Sequence, residues 1–389
     1  MSDYPHVQQP IAINRCELRN RIVRPAHVTG FASGGFGQQF IDYHLARARG
    51  GVALTILEIG AVHPSSPALL RCYDDSVMDA WALLAERAHA EGMRVFQQLF
   101  HGGSNVGPAD GGAGIQVDGN DSPSWAPSAI RDPVYGNMPV AMSVAQIDEL
   151  VDSFAAMAQR CARAGLDGVE VHAGHGYLIG QFLSPLSNLR GDDYGGSPQR
   201  RMLFLRRVLR EVRSRIGPDL ALSVRLSGSE GVAGGIEPAE AAATRAAIER
   251  EGLADMVNVS YGSYASLHQV IPTMQEPHGY QLPSSRVVTA GALIPTMVAG
   301  RITSLAHAEQ IIADGVSDLV GMVRATIADP QIVRHSLAGQ ARDVRPCLGC
   351  NDGCIGGIRV AAAPTSGGCG RRRWRTSSGT ACRPRWSSR

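Results

Sequence analysis

The chain has 389 residues, enough for one large α/β domain with an extension, and 44% of them are hydrophobic while 5% are aromatic. Its core must therefore be built mainly from Ala, Val, Leu and Ile, as in parallel sheets that helices cover. The formal net charge of +2 is too small to indicate a nucleic-acid or membrane partner, and no run of about 18 apolar residues is present, so we expect a soluble, cytoplasmic protein.

Eight apolar segments predict strands, and helical segments separate them. In chain order the strands are expected at 21–24, 52–58, 95–99, directly after Asp167, at 220–226, directly after Asp255, at 297–299, and directly after Asp318. Amphipathic helices are expected at 78–91, 144–164, 198–216, 238–251 and 305–314.

Three of these strands follow one repeated pattern, in which a helical run ends at a glycine and an Asp precedes the strand. The repeats contain Gly165 with Asp167, Gly252 with Asp255, and Gly315 with Asp318. Repetition of helix, tight turn and buried strand is typical of parallel βα units.

Periodicity alone leaves two architectures open, a (β/α)8 barrel and a doubly wound open sheet. Long polar segments follow the third strand, at 101–139, and the fourth, at 174–196, which is where barrel enzymes carry their chemistry. No G-x-G-x-x-G follows a strand, so a dinucleotide-binding Rossmann unit is not indicated. The loops therefore favour the barrel.

Two histidines and a tyrosine follow the predicted fourth strand in GVEVHAGHGYLIGQFLSPLSNLRGDDYGGS. His172 and His175 can point into one pocket and donate hydrogen bonds to an oxygen that becomes negative during a reaction. Tyr177 can supply a proton nearby. A zinc site or two structural histidines are the alternatives, because the spacing alone does not decide between them.

Three cysteines lie close together in RPCLGCNDGC, at Cys347, Cys350 and Cys354. Their spacing is too tight for a disulfide framework in a chain without a secretion signal, so metal or cluster ligation is favoured. Residues 370–389 contain seven arginines and no acidic residue, and their composition predicts a disordered tail. A nucleic-acid-binding tail is the alternative, but we prefer an abnormal ending, such as a misread or truncated reading frame.

The segment HAGHGYLIGQFLSP, followed by N-x-R-x-D-x-Y-G-G-S, resembles the active-site segment of the Old Yellow Enzyme family of flavin oxidoreductases. Further segments resemble the same family in the same order, namely LRNRIVRPAHVTGFASGG, ARARGGVALTILE, QQLFHGG, SVRLS and DLVGMVRATIADP. The resemblance covers residues 10–355 and implies a (β/α)8 TIM barrel over residues 1–340.

The resemblance also implies an FMN site at the C-terminal mouth of the barrel. The implied contacts come from the first loop, from strands two, three and five, and from a phosphate site at strands seven and eight: Pro25, Ala26, His27, Gly60, Gln98, Arg225, Gly300, Arg301, Gly321 and Arg324. Gly60 would leave room for the ring, and Gln98 would bond to its pyrimidine edge. Arg225 would lie beside N1 and O2, where reduced flavin is negative. An ordinary ion pair for Arg225 and simple turns at the glycines are the alternatives.

The spacing C-x2-C-x3-C resembles the cluster-binding segment of the 2,4-dienoyl-CoA reductase and trimethylamine dehydrogenase branch of that family. It implies a [4Fe–4S] cluster held by four cysteines within residues 341–369. The next cysteine here is Cys369, and the 14 residues between it and Cys354 do not resemble the family's sequence. A zinc site is the alternative. The branch continues into further domains, so the chain resembles a form truncated after the barrel.

The resemblance implies hydride transfer from reduced, noncovalently bound FMN to an activated C=C bond, with NADH or NADPH as electron donor. His172 and His175 would hold the carbonyl oxygen of the substrate while Tyr177 protonates its α-carbon. A flavin-dependent amine dehydrogenase or N-demethylase that passes electrons to the cluster is the alternative enzyme, and a degenerate barrel that only binds a ligand is the non-enzyme alternative. The expected partners are a small-molecule substrate and either a second copy of the chain or a separate electron-transfer protein.

Overall fold

The computed structural model describes residues 3–32, 36–66, 70–105, 124–133, 136 and 138–352. Eight parallel strands form a barrel: β1 (Ile22–Arg24), β2 (Leu54–Ala61), β3 (Arg94–Phe100), β4 (Gly168–Ala173), β5 (Ala221–Ser227), β6 (Met256–Ser260), β7 (Thr296–Val298) and β8 (Leu319–Gly321). The barrel closes because β1 pairs both with β8, where Ile22 lies opposite Val320, and with β2. The predicted (β/α)8 barrel is therefore confirmed, and the open doubly wound sheet is wrong.

After each barrel strand the chain forms one of the helices α1 (Gln38–Arg49), α2 (Met78–Ala90), α3 (Val144–Arg163), α4 (Leu203–Ile216), α5 (Pro238–Arg250), α6 (Leu282–Thr289), α7 (Leu305–Ala313) and α8 (Ile332–Leu337). Further short helices lie at Leu178–Leu183, Pro198–Arg201, Leu267–Val270 and Val323–Ala328. The five predicted helices form, although the one predicted at 198–216 is interrupted at Met202. No helix in the described part of the chain is long and apolar enough to cross a membrane.

The Asp of the repeated sequence pattern has one role in all three places. Gly165, Gly252 and Gly315 have positive φ angles of 78°, 60° and 65°, so each ends its helix in the left-handed conformation that glycine adopts readily. The Asp that follows accepts a hydrogen bond from the backbone N–H at the start of the preceding strand. The donors to Asp167, Asp255 and Asp318 are, in order, Val95 at 2.8 Å, Leu222 at 2.8 Å and Thr296 at 2.9 Å. These carboxylates therefore join neighbouring strands at the floor of the barrel.

The barrel interior is apolar at the floor and polar toward the mouth. The hairpin of Ile11–Ile13 and Cys16–Leu18 closes the floor and packs on buried side chains of the strands, among them Leu54, Ile56, Phe96, Ala221, Met256, Met297 and Leu319. Every second residue of a strand faces the same side, so the next interior positions lie two residues further along. They hold Gln98, Glu170, Ser223 and Asn258, followed by His172, Arg225 and Ser260. The sequence therefore places polar chemistry at the carboxyl ends of β3 to β6.

Candidate active site

Four polar side chains form a buried layer across the barrel, and the Glu170 carboxylate lies at its centre. Its Oε1 accepts a hydrogen bond from Gln98 Nε2 at 2.6 Å. Its Oε2 accepts from Asn258 Nδ2 at 2.9 Å and from Ser223 Oγ at 3.3 Å. Burial raises the pKa of Glu170, and Arg225 and these three donors oppose that shift. Because Gln98 turns its NH2 group toward the carboxylate, its carbonyl oxygen is left to accept a hydrogen bond from a ligand.

Arg225 lies one layer closer to the mouth. Its Nη1 donates to the Ala26 carbonyl oxygen at 3.3 Å, and its Nη2 donates to Ser260 Oγ at 3.1 Å. Its Nε is buried and has no hydrogen-bond partner in the described part of the chain. Burial lowers the pKa of Arg225, while Glu170 and Tyr177 raise it. The guanidinium bonds to a carbonyl and a hydroxyl rather than to a carboxylate, so it retains a donor for a ligand.

His172 and His175 lie together at the end of β4, with ring centres 5.1 Å apart. The Gly174 N–H donates to His172 Nδ1 at 3.3 Å, so the neutral ring carries its proton on Nε2. His175 has φ 57°, and Ser227 Oγ accepts its N–H at 2.8 Å, which holds the turn in this left-handed conformation. Burial and the charge of Arg225 hold the pKa of both imidazoles well below the usual value. Both rings are therefore neutral at pH 7 and can donate hydrogen bonds.

Tyr177 completes this group of rings. It lies edge to face against Phe100 and His172, at centre distances of 4.6 Å and 4.9 Å. The zinc alternative for the histidine pair gains no support, because no group of three His, Cys, Asp or Glu side chains that could hold a metal occurs among the residues that the structure describes. The structure therefore brings the three predicted catalytic side chains into one cluster.

Two further members of this cluster were not predicted from the sequence. Ser260 Oγ, at the end of β6, lies 2.6 Å from His175 Nε2. The Tyr264 hydroxyl, in the 3-10 turn after β6, lies 3.0 Å from that of Tyr177. A signal was available, because Ser260 lies at the carboxyl end of a predicted strand and Tyr264 lies shortly after it, the region that singled out His172.

The first loop, which follows β1, borders the cluster of His172, His175 and Tyr177 through Pro25 and Ala26. The Ala26 carbonyl oxygen accepts the bond from Arg225. Pro25 packs against β8, where a Cβ on Gly321 would lie 2.5 Å from the proline Cγ. Gly321 is therefore needed so that the first loop can approach β8, a packing role beyond the simple turn considered from the sequence.

The ring of His27 contacts the polar side chains of Arg24 and Tyr43. Its Nδ1 lies 2.6 Å from Arg24 Nη2, and its Nε2 lies 3.2 Å from the Tyr43 hydroxyl. Burial and the charges of Arg24 and Arg47 hold the pKa of His27 well below the usual value. The ring is therefore neutral and held by partners within the protein.

Gly60 is required for a reason other than the predicted one. A Cβ at this position would lie 2.6 Å from Met157 Cε and 2.8 Å from Cys72 Sγ. Met157 belongs to α3, so the missing side chain would point toward the helices outside the barrel. The expectation that Gly60 leaves room for a flavin ring is corrected, and only its backbone is available to a ligand in the mouth.

The loop after β7 has an uncommon backbone. Gly300 has φ 120°, and a Cβ there would meet the Gln281 side chain at 2.8 Å. Arg301 follows with φ 51°, donates from Nη1 to the Met274 carbonyl oxygen at 3.1 Å, and has a buried Nε with no partner among the described residues. This strained pair therefore presents an unused donor near the mouth.

Arg324 holds the chain that follows the barrel. Its Nη1 donates to the Pro272 carbonyl oxygen at 2.5 Å and to Asn351 Oδ1 at 2.7 Å. The Asn351 amide in turn donates to the Ile271 carbonyl oxygen at 2.8 Å. The residue that follows Cys350 is thereby fixed to the loop after β6.

The cysteine segment is described only in part. Cys347 is half-buried and Cys350 is exposed, and neither forms a disulfide with another cysteine that the structure describes. Cys354 and Cys369 lie outside the described residues, as does the basic tail at 370–389. The predicted four-cysteine site therefore stays a prediction.

Comparison with known proteins decides the family. The sequence pattern of the NADH:flavin oxidoreductase / NADH oxidase family matches residues 6–342. This chain belongs to that family. It is 36% identical over 384 residues to the NADH oxidase of Thermoanaerobacter brockii, covering 94% of this chain and 57% of the relative. It is 31% identical over 352 residues to the multifunctional alkene reductase/demethylase OYE of Caballeronia cordobensis, covering 88% of this chain and 50% of the relative.

A solved structure of 2-naphthoyl-CoA reductase superimposes with a TM-score of 0.85 at 27% identity, covering 94% of this chain and 58% of that one. The Old Yellow Enzyme resemblance is thus confirmed at the level of the family. The chain spans about half the length of the two relatives.

The mouth of the barrel fits the flavin that the family carries. Arg225 and Arg301 each have a buried Nε without a hydrogen-bond partner within the described ranges. Ring carbonyl and phosphate oxygens of a flavin mononucleotide are acceptors of the kind that these donors lack. The carbonyl oxygen of Gln98 is an acceptor for a ring N–H. The donors and acceptors therefore match FMN.

Proposed function

We propose that this NADH:flavin oxidoreductase reduces the activated C=C bond of a small-molecule substrate, with NADH or NADPH as electron donor. The observation that carries the proposal is the cluster of His172, His175 and Tyr177, in which two neutral imidazoles stand beside a phenol. Such a cluster can stabilise a developing oxyanion and deliver a proton from one place.

FMN would be held noncovalently at the mouth and would supply the hydride when reduced. Gln98 would accept a hydrogen bond from the pyrimidine edge, and Arg225 would donate to the ring oxygen beside it. The remaining proposed contacts border the ring or the phosphate, and they are Pro25, Ala26, His27, the backbone of Gly60, Gly300, Arg301, Gly321 and Arg324. The first loop begins with the sequence PAHVTG, which contains no cysteine to which the flavin could be covalently attached.

The two histidines would bind the carbonyl oxygen that is conjugated to the C=C bond. His172 carries its proton on Nε2 and can donate it to that oxygen. His175 is fixed by Ser260 and by its own backbone N–H, so little reorganisation is needed when charge develops. Each such donor stabilises an oxyanion by about 3 kcal/mol.

Tyr177 would protonate the α-carbon after the β-carbon has received the hydride. Its ring is held by Phe100 on one side and His172 on the other, which fixes the direction of its hydroxyl. A fixed acid next to the oxyanion donors makes the two steps possible without movement of the substrate.

Oxidation of a methylated amine is the second candidate function. The relative from Caballeronia cordobensis is named both as an alkene reductase and as a demethylase. In that direction the flavin would be the hydride acceptor, and the electrons would leave through a cluster or to a separate electron-transfer partner. The neutral imidazoles favour alkene reduction, since a carbonyl oxygen needs the donors that they present.

We also propose that Cys347, Cys350, Cys354 and Cys369 hold a [4Fe–4S] cluster. The support is their spacing together with the bonds from Arg324 and Ile271 that fix Asn351 beside Cys350. Cluster closure by Cys369 is weakly specified because a long Gly- and Ala-rich loop must fold back. We expect iron below four per chain, and Cys369→Ser should lower it further. Full and stable iron occupancy in that variant would show that Cys369 is not a ligand.

Anaerobic absorbance spectroscopy tests the two reactions against each other. Dithionite-reduced protein should be reoxidised by an enone, and oxidised protein should not be bleached by a methylated amine. Acid precipitation should release FMN into the supernatant. Bleaching of the oxidised protein by the amine without reoxidation of the reduced protein by the enone, or flavin that stays with the denatured protein, would contradict the proposal.

A further inference from the structure

The hydroxyl groups of Tyr177 and Tyr264 form a hydrogen bond of 3.0 Å, and their rings meet edge to face with centres 5.3 Å apart. Tyr177 follows β4 and Tyr264 follows β6, so the bond joins two loops whose residues are 87 positions apart. The bond therefore places a second phenol beside the proposed proton donor.

We propose that Tyr264 is a positioning residue that increases the acidity of Tyr177 and returns the proton that Tyr177 delivers, an inference that rests on the proposed alkene reduction. Each phenol has one proton. When Tyr264 donates its proton to the Tyr177 oxygen, the proton of Tyr177 is directed elsewhere, toward the substrate carbon.

The proton balance of the step is simple. The O–H bond of Tyr177 breaks while a C–H bond forms at the α-carbon, and the enolate supplies the electron pair of the new bond. The phenolate of Tyr177 then takes the proton of Tyr264, and Tyr264 takes one from water. A phenolate that accepts a hydrogen bond is lower in energy than one that does not. One proton from water is consumed in each turnover.

The turn that carries Tyr264 is fixed without the help of its hydroxyl. The Ser263 N–H donates to Ser266 Oγ at 2.9 Å, and Ser266 Oγ donates to the Glu230 carbonyl oxygen at 2.6 Å. Tyr264 is half-buried and Ala265 next to it is exposed, so water can reach this end of the pair. Replacing Tyr264 by Phe removes one oxygen and leaves the turn and the ring contact in place.

Among the residues that the structure describes, the charged and titratable groups around Tyr177 are His172 and His175 from the end of β4, Arg225 from β5, and Tyr264 itself. Both imidazoles are neutral above pH 7, and Arg225 is present in every variant compared. A change in Tyr177 ionisation on Tyr264→Phe is therefore attributable to the second phenol.

Ultraviolet titration of the FMN-loaded protein tests the inference. Subtracting the curve of the Tyr177→Phe protein from that of its parent isolates the ionisation of Tyr177. In Tyr264→Phe we expect the midpoint to rise by about one pH unit, since hydrogen bonds to a charged group are stronger than neutral ones. Enone reduction should fall about tenfold, and its solvent deuterium isotope effect should increase. Tyr261→Phe makes the same change three residues away, where the ring contacts Tyr280, and serves as the matched control.

An unchanged midpoint in Tyr264→Phe would overturn the inference, whatever the turnover. A shifted midpoint with unchanged turnover and isotope effect would overturn the return of the proton. Wild-type protein that binds FMN and reduces no enone would instead overturn the proposed function, because the titration does not depend on catalysis. A shift together with slower, more isotope-sensitive reduction supports both.

Discussion

The imidazole pair gives the sharpest test of the active site. His172→Ala removes the Nε2 donor, and His172→Ala with His175→Ala removes both. Loss of one oxyanion donor costs about 3 kcal/mol of transition-state stabilisation, which is about a hundredfold in rate. The two donors would share one oxygen, so the double variant should lose less than the sum of the two single losses.

The variants should still fold and bind FMN, because the proposed FMN contacts lie on other residues. Removing the His172 ring leaves a space against Phe100 and Tyr177, so a decrease of about 2–4 kcal/mol in stability is expected. Thermal unfolding and released flavin must therefore be measured first. The exposed His268 offers the matched control as His268→Ala.

The assay mixes dithionite-reduced protein with an enone in a stopped-flow instrument and follows flavin reoxidation. This isolates the step in which the carbonyl oxygen becomes negative from reduction by NADH or NADPH. Reoxidation within about twofold of wild type in a folded, FMN-loaded double variant would be too small a loss for an oxyanion donor and would remove the histidines from the mechanism.

Three further changes test the scaffold. Burial raises the pKa of Glu58 from 4.5 to about 7. Between pH 4.5 and 7 the folded protein therefore keeps a proton on Glu58 that the unfolded chain releases. The free energy of unfolding should fall by about 3 kcal/mol as the pH rises through this range. Urea denaturation should show this slope flattened in Glu58→Gln, and an unchanged slope would contradict the assignment. Asp255→Ala should cost about 1–3 kcal/mol because a strand N–H loses its acceptor. Asp219→Ala, which breaks only an exposed ion pair, should cost close to nothing, and equal losses would count against the floor role. Gly321→Ala should weaken FMN binding roughly tenfold, because its Cβ would lie 2.5 Å from the first loop. Gly37→Ala, where a Cβ meets nothing within 4 Å, should bind FMN as wild type does, and a fluorescence titration that shows no difference between them would refute the packing argument.

The sequence predicted the eight strands because each is a short apolar run bounded by clear turn signals. It also predicted the cluster of His172, His175 and Tyr177, since residues so close in sequence after one strand must lie close in space. Side chains from different strands were harder to predict. Glu170 and Ser260 meet their partners only because the barrel closes, and no local pattern shows which residues will then face each other.

The correction at Gly60 and the bonds of Arg324 have a common physical cause. Gly60 was assigned by its position in the family pattern, but the pairing of β2 shifts register between Leu57 and Gly60, and the missing side chain points toward Met157 and α3. Arg324 was predicted for a phosphate and stays proposed for one, while its Nη1 already bonds to Pro272 and Asn351. Whether a side chain serves the ligand or the protein depends on neighbours that are distant in the sequence.

The Asp carboxylates at the floor of the barrel help to fix the positions of the polar side chains nearer the mouth. Asp167 lies three residues before Glu170, and the Val95 N–H that it binds belongs to a residue three before Gln98. Three strand residues span about 10 Å. A slip of one residue between β3 and β4 would turn Gln98 toward the helices and separate it from Glu170. The hydrogen bond between Val95 and Asp167 therefore fixes the register of β3 and β4 along their length. A substitution at the floor can change substrate turnover without altering any residue that the substrate contacts.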